Sequence, residues 1–212
     1  MTVYSIFNLV QPHFRRRRMR QFIKALSPTP ETRILDVGGY AHFWIGSGVK
    51  SEITVVNIHH VKATPNPDLR ITTMQGDGCH LPFKDESFDI VFSNSVIEHL
   101  STFARQQEFA REAQRVGRQL WIQTPARSFP IEPHLLTPLI HFLPKATQRR
   151  VLRNFTTWGL LSKPSPEQVD AFLAEVRLLD RKEMIDLFPD CSIIDERFLG
   201  MAKSYVAVRK QA

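Results

Sequence analysis

Short apolar runs alternate with more polar stretches through residues 34–124. Five of these runs are rich in β-branched residues and are bounded by Gly, Pro, Asn or Asp, which is typical of strands buried on both faces of a parallel sheet. The five predicted strands are 34–37, 53–58, 71–74, 88–93 and 120–124. Apolar residues recur near helical spacing before the fifth run, and they predict a helix over about 102–116 that Gly117 is placed to end.

The alternation lapses after Thr124. Residues 125–166 contain seven prolines and several apolar pairs, which predict an irregular or helical insertion that forms a lid or wall. Asp180 is followed three residues later by Glu183, a spacing that predicts a capped helix start. Residues 192–199 and 205–209 are predicted to be two closing strands, near enough in sequence to form an antiparallel pair.

These elements together predict an α/β protein with a doubly wound sheet, mostly parallel and closed by an antiparallel C-terminal strand pair. The prolines of Ser27-Pro28-Thr29-Pro30 interrupt the chain, because proline cannot donate to a helix ladder. We therefore expect a basic N-terminal helical segment over residues 1–30 and a domain over residues 31–212 with the insertion 125–166. Ligands of such sheets bind beyond the carboxyl ends of the strands.

Positive charge is concentrated in two segments of a chain whose net charge is +7. Residues 1–33 carry seven Lys and Arg against one acidic residue, and residues 101–153 carry nine against three. Arg15 to Arg18 and Arg20 lie among apolar residues and can form a basic amphipathic helix. Such a helix could bind an anionic membrane, bind nucleic acid phosphates, or cover the domain with its charges in water.

The two cysteines, Cys79 and Cys191, have no metal-ligand spacing around them and suggest no disulfide framework. No apolar run is long enough to cross a bilayer, and no export signal is evident. We expect a cytoplasmic protein that can also be peripheral to a membrane. The oligomeric state is open.

Two glycine-containing turns follow predicted strands. Asp36-Val37-Gly38-Gly39 follows the first strand, where glycines let the backbone approach a ligand and a following helix would offer free N–H groups. Gly76-Asp77-Gly78-Cys79 follows the third strand, where the Asp77 carboxylate could accept from an exocyclic amine. Either turn is also a common structural device with no ligand.

The whole string 76–100, GDGCHLPFKDESFDIVFSNSVIEHL, resembles class I S-adenosylmethionine-dependent methyltransferases, in particular the branch that includes quinone-biosynthesis enzymes. The resemblance covers about residues 34–124 and implies a Rossmann-like sheet. It places four residues of the first turn, Asp36, Gly38, Gly39 and Tyr40, around the methionine and ribose of the cofactor. Asn57 would meet the ribose hydroxyls, and Asn94 and Ser95 would flank the sulfonium. Asp77, Gly78 and Cys79 would hold the adenine.

Two features of the sequence depart from the family pattern. Tyr40 and His42 stand where the second and third glycines of the first motif would be. Asn57 replaces the usual Asp or Glu and has one uncharged acceptor group. These changes are expected to weaken cofactor binding rather than alter the fold.

The resemblance implies a methyltransferase with S-adenosyl-L-methionine as cofactor, and the apolar insertion favours a small hydrophobic or amphiphilic acceptor. No metal is expected, because the methyl carbon is already activated. A hydroxyl acceptor would need a base, for which His99 and His134 are the candidates, oriented by Glu98 or Glu132. The alternatives are an RNA methyltransferase, a non-catalytic cofactor-binding protein, and a nicotinamide-dependent oxidoreductase. The sequence lacks the G-x-G-x-x-G motif that is typical of the last class.

Overall fold

The computed structural model describes residues 3–61 and 69–210, with side chains from Arg15 onward. Its strands are β1 (Arg33–Val37), β2 (Glu52–Asn57), β3 (Arg70–Gln75), β4 (Phe88–Asn94), β5 (Gly117–Pro125), β6 (Ile131–Glu132), β7 (Thr137–Pro138), β8 (Ser192–Phe198) and β9 (Met201–Arg209). Seven of them form one sheet in the order β3-β2-β1-β4-β5-β9-β8, while β6 and β7 form a separate hairpin.

The pairing within the large sheet confirms the predicted fold class. Strands β1 to β5 pair in parallel, and β9 runs antiparallel to both β5 and β8. The strand order reverses direction between β1 and β4, so the connections leave on opposite sides there and open a crevice at the carboxyl ends of these strands.

Helices α2 (Phe103–Val116) and α6 (Arg181–Leu187) pack on one face of the sheet. The side chain of Thr102 caps α2 by accepting from the backbone N–H of Arg105 at 3.2 Å. Gly117 ends α2 as predicted, but it does so with extended backbone and passes directly into β5. The predicted start of α6 is confirmed, since the Asp180 side chain accepts from the Glu183 N–H and Glu183 accepts in return from Asp180.

Helix α1 (Val3–Leu26) covers part of the opposite face. Met19, Phe22 and Leu26 are buried against the sheet, and the Phe22 ring lies 5.1 Å from the ring of Phe92 and 5.7 Å from that of Trp121. Within the described residues of α1 this placement supports the covering-helix interpretation. The chain leaves the helix at Ser27, the first residue of the predicted break.

The sequence analysis expected a helix after β1, and the structure corrects this expectation. The structure has only one 3₁₀ turn there, Ala41–Phe43, and no α-helix follows before β2. Trp44 takes up the space on the sheet face, fully buried against Phe22, Phe43 and Phe92. Gly46 and Gly48 then adopt positive φ, which disfavours a continued helix. The free N–H groups of a full helix N-terminus are therefore missing from this turn.

The insertion is largely helical beyond the β6–β7 hairpin. It contains α3 (Lys145–Phe155) and α4 (Thr157–Ser162), and α5 (Pro166–Glu175) begins where the predicted insertion ends. These elements share a small core of their own, formed by Leu135, Ile140, Leu152, Val169 and Leu173. In the part of the chain that the structure describes, no helix combines the length and the apolar character of a membrane span.

Candidate active site at the carboxyl edge of the sheet

A cavity of about 490 Å³ opens where β1, β4 and β5 end. This volume lies in the range of small-molecule sites, which is roughly 300–1,000 Å³. Six of the ten residues predicted to hold a cofactor line it: Asp36, Gly38, Gly39, Tyr40, Asn94 and Ser95. The other four, Asn57, Asp77, Gly78 and Cys79, lie outside the lining.

Asp36, near the end of β1, is the one acidic residue among those lining the cavity. Its side chain is buried, and its Oδ2 accepts a hydrogen bond of 2.8 Å from the indole Nε1 of Trp44. Its Oδ1 has no hydrogen-bond partner in the described structure. Burial raises the pKa of Asp36 from 3.8 to about 7, and the Trp44 bond opposes that shift. The carboxyl group therefore has an acceptor atom available for a ligand.

The two glycines of the turn allow this close packing. A Cβ on Gly39 would lie 1.9 Å from Oδ2 of Asp36, and Gly38 has a φ of +81° with Val96 directly beside it. Any side chain at Gly39 would thus displace the Asp36 carboxyl group. Tyr40, at the family's next glycine position, is half exposed and lines the cavity without filling it.

Asn57 holds the first turn from the end of β2. Its Nδ2 donates to the carbonyl oxygens of Gly38 and Gly39 at 3.0 Å each, and its Oδ1 accepts from the N–H of His59. A carboxylate could not make the two donations, which gives a physical reason for an amide at this position. Contact of Asn57 with a ribose stays a prediction, because its amide atoms are already engaged.

In the second turn, both carboxylate oxygens of Asp77 accept hydrogen bonds from groups of this chain. Asp77 Oδ1 accepts from the Cys79 N–H at 2.9 Å, and Oδ2 pairs with Nη2 of Arg105 at 2.8 Å. Burial opposes ionisation of Asp77, but Arg105 and the Cys79 N–H outweigh it and lower the pKa. The Cys79 thiol is buried, which raises its pKa to about 12. An adenine contact at Asp77 also stays a prediction, since Arg105 occupies one carboxylate oxygen.

The end of β4 meets a polar wall that the sequence analysis missed. Arg18 of α1 donates from Nη1 to Oδ1 of Asn94 at 2.5 Å and forms an ion pair of 2.7 Å with Glu196 of β8. Glu196 also accepts from the hydroxyl of Ser204. Burial opposes ionisation of Glu196, but Arg18 outweighs it and lowers the pKa of Glu196. Burial also lowers the pKa of the neighbouring Lys203 to about 8.

The two candidate bases lie together but outside the cavity lining. The rings of His99 and His134 are 5.0 Å apart and nearly perpendicular. His134 donates from Nδ1 to Oε1 of Glu132 at 2.7 Å, and His99 donates from Nδ1 to Oε1 of Glu175 at 2.8 Å. The orienting group of His134 is thus Glu132, whereas Glu175 orients His99. Their role as bases stays a prediction.

Comparison with known proteins gives one family match. Residues 36–119 match the family model described as a methyltransferase domain. A search of curated proteins found no sequence match. The fold and the matched domain support a class I methyltransferase, and the enzyme class predicted from the sequence, a methyltransferase, is confirmed.

Solved structures share the fold at low sequence identity. A Thermotoga maritima S-adenosylmethionine-dependent methyltransferase, described as a possible histamine N-methyltransferase, is 17% identical with a TM-score of 0.52, covering 97% of this chain and 93% of its own. The YcgJ protein of Bacillus subtilis is 18% identical with a TM-score of 0.51, covering 84% of this chain and 70% of its own. A Rhodobacter sphaeroides protein whose name assigns it to the Zn-dependent alcohol dehydrogenases is 12% identical with a TM-score of 0.56, covering 92% of this chain and 90% of its own.

Proposed function

We propose that this chain methylates a small apolar or amphiphilic molecule in the cavity at the ends of β1, β4 and β5, using S-adenosyl-L-methionine. The observation that carries the proposal is that residues of the matched domain line this cavity. Asp36, the two glycines and Asn94 line the cavity together with apolar side chains from the insertion.

The residues present fit the methionine end of this cofactor. The unpartnered Oδ1 of Asp36 is an acceptor for a cationic group, and the glycines at 38 and 39 keep the backbone clear beside it. The cofactor supplies a methyl carbon activated by positively charged sulfur. What this chain adds is alignment of the two reactants and exclusion of water, which together can provide several kcal/mol of rate acceleration.

The acceptor class follows from the rest of the cavity lining. Eight of the lining side chains are apolar, and the Lys and Arg residues of the lining come from α1 and β9. An acceptor with an apolar body and a polar or anionic end would match this lining. Its apolar body would be buried against the apolar side chains, and its polar or anionic end would face the Lys and Arg residues. A lipid-like or quinone-like molecule has this chemistry. The apolar side chains are Phe43, Phe92, Pro125, Phe129, Ile131, Pro133, Leu136 and Phe198.

Calorimetric titration tests the cofactor assignment. We expect S-adenosylmethionine and its demethylated product to bind the wild-type protein and NADH not to bind. Asp36→Asn should weaken cofactor binding about 10- to 100-fold, the range expected when a charged hydrogen bond becomes neutral. Asp190→Asn, an exposed carboxylate elsewhere, is the matched control. Binding of NADH alone, or no uptake at millimolar cofactor, would contradict the assignment.

Turnover separates an enzyme from a degenerate binding protein. Transfer of a labelled methyl group to an apolar extract, resolved by chromatography, should depend on the same Asp36 that affects binding. Cofactor binding without transfer to any fraction would favour the non-catalytic alternative.

The exposed arginines of α1 leave two partner proposals open to experiment. Arg16, Arg17 and Arg20 face solvent, so this helix can approach an anionic membrane surface or RNA. Cosedimentation with phosphatidylglycerol vesicles supports the membrane proposal. Binding to total RNA with a steep salt dependence supports an RNA methyltransferase instead. We place the reaction in a reducing cytoplasm, which the free thiols of Cys79 and Cys191 support.

A further inference from the structure

Glu98, His99 and His134 form a compact cluster beside the cavity. One carboxylate oxygen of Glu98 and one ring nitrogen of each histidine lie within 4.8 Å of one another. Glu98 and His99 come from the 3₁₀ turn Ile97–His99 that follows β4, and His134 comes from the loop between β6 and β7. The cluster therefore joins the edge of the sheet to the insertion.

Both imidazoles are oriented by carboxylates. Glu132 accepts from Nδ1 of His134 and also from the N–H of Leu135 at 2.6 Å, so its position is fixed twice. Glu175 accepts from Nδ1 of His99. In the described part of the chain, neither Nε2 has a hydrogen-bond partner. A carboxylate holding one nitrogen of a histidine is the usual arrangement behind a histidine metal ligand, because it fixes the ring and raises the basicity of the other nitrogen.

Glu98 is the unusual member of the cluster. Its side chain is fully buried, and its Oε2 accepts from the hydroxyl of Thr124 at 3.0 Å. Its Oε1 is buried and has no partner among the described residues. A buried carboxylate oxygen with no donor costs free energy unless something else binds it.

The charge around the cluster is also one-sided. Glu98, Glu132 and Glu175 bring three carboxyl groups close to two imidazoles, and no Lys or Arg among the described residues forms an ion pair with any of the three. A bound cation would therefore meet three carboxyl groups with no Lys or Arg ion pair competing for them among the described residues.

We propose that Glu98, His99 and His134 bind a divalent transition-metal ion such as Zn²⁺, Co²⁺ or Mn²⁺, and that this ion ties the insertion to the end of β4. Two nitrogen donors and one carboxylate favour such ions over Mg²⁺ and Ca²⁺, which prefer oxygen ligands. Contrary to the sequence expectation of no metal, the geometry brings three candidate ligand atoms within 4.8 Å of one another, and water would be the fourth ligand of a tetrahedral site. Pro133 and Leu136, on either side of His134, line the cavity, so the ion would hold one cavity wall in place.

The test uses the full chain, stripped with chelator, and three variants of the ligands. Zn²⁺ binding is measured by calorimetry, and Co²⁺ binding by the visible absorption of the bound ion. The ligand variants are Glu98→Gln, which keeps the shape and the Thr124 hydrogen bond, His99→Gln and His134→Gln. His80→Gln, at an exposed histidine, is the matched control. Circular dichroism of each variant checks that it folds.

We expect one Zn²⁺ per wild-type chain and per His80→Gln chain, and no specific binding in the three ligand variants. Glu175→Gln should bind about 10- to 100-fold more weakly, since Glu175 orients a ligand without being one. The Co²⁺ spectrum should be present in the wild type and absent from Glu98→Gln. Bound metal should also slow proteolysis within residues 131–142.

Three results would overturn the proposal. The first is that the wild type takes up neither Zn²⁺ nor Co²⁺ at millimolar metal. The second is that folded Glu98→Gln binds as much metal as the wild type. The third is that His80→Gln loses as much binding as the ligand variants do, which would indicate an adventitious ion only. A preference for Mg²⁺ would overturn the choice of donors. None of these measurements involves S-adenosylmethionine, so their failure is distinct from failure of the methyltransferase proposal.

Discussion

Replacing Asp36 with asparagine should remove a pH dependence of stability that the buried carboxyl group creates. The pKa of Asp36 rises from 3.8 to about 7 on folding, so the folded chain holds this proton over a pH range in which the unfolded chain has released it. Stability from this group is therefore greatest at low pH and falls as pH rises through about 7. Each pH unit between the two pKa values is worth about 1.4 kcal/mol, which makes the total loss about 4 kcal/mol.

Urea unfolding of the wild type and of Asp36→Asn at several pH values measures this loss. Between pH 5 and pH 8 the wild type should lose about 2–3 kcal/mol more than Asp36→Asn, or roughly 1 M in the urea midpoint. The difference between the two proteins isolates Asp36 from other groups that titrate in this range. Asp190→Asn should follow the wild type. Parallel curves for the wild type and Asp36→Asn would refute the burial argument.

Three further predictions concern the framework around the site. Phe22→Ala should lower the free energy of unfolding by about 3–5 kcal/mol in urea, because it empties a fully buried aromatic site under α1; a loss below about 1 kcal/mol would mean that α1 does not pack there. Asp180→Ala should cost about 0.5–2 kcal/mol in thermal unfolding through the lost cap of α6, with Asp180→Asn retaining most of the stability. Arg18→Met should leave Glu196 buried without its ion pair and cost about 3–5 kcal/mol, whereas Arg16→Met, at an exposed position, should be nearly neutral in the same assay.

Strands β1, β2, β4 and β5 were predictable because each is a short, largely buried run, whereas β3 has the same β-rich composition but lies at the edge of the sheet with no buried residue. All five predicted runs lie within or overlap β1 to β5, and the cap at Asp180 needed only local hydrogen bonds. The segment after β1 was not predictable in this way. The conformation of this segment depends on Trp44, which donates to Asp36 and packs against the Phe22 ring. The contact with Phe22 joins two elements that are separate in sequence, so no local pattern indicates it.

The same distinction applies to the candidate site. Residues at strand ends, such as Asp36 and Asn94, could be found from the strand pattern because the carboxyl ends of parallel strands meet at one edge. Arg18 and Glu196 are 178 residues apart, and no local signal joins them. For His99 and His134 the sequence offered Glu98 or Glu132 as the orienting group. The folded chain places Glu132 on His134, but it brings Glu175, which is distant in sequence, to His99.

The pairing of Arg18 with Glu196 has a consequence for synthesis of the protein. The cavity takes residues from α1 and from β8 and β9, which are synthesised much later than α1, so its walls are complete only after translation has passed residue 204. A growing chain on the ribosome can already assemble β1 to β5 against α1. Ligand affinity should therefore arise only after β8 and β9 have left the ribosome, and nascent chains halted before β8 should show none.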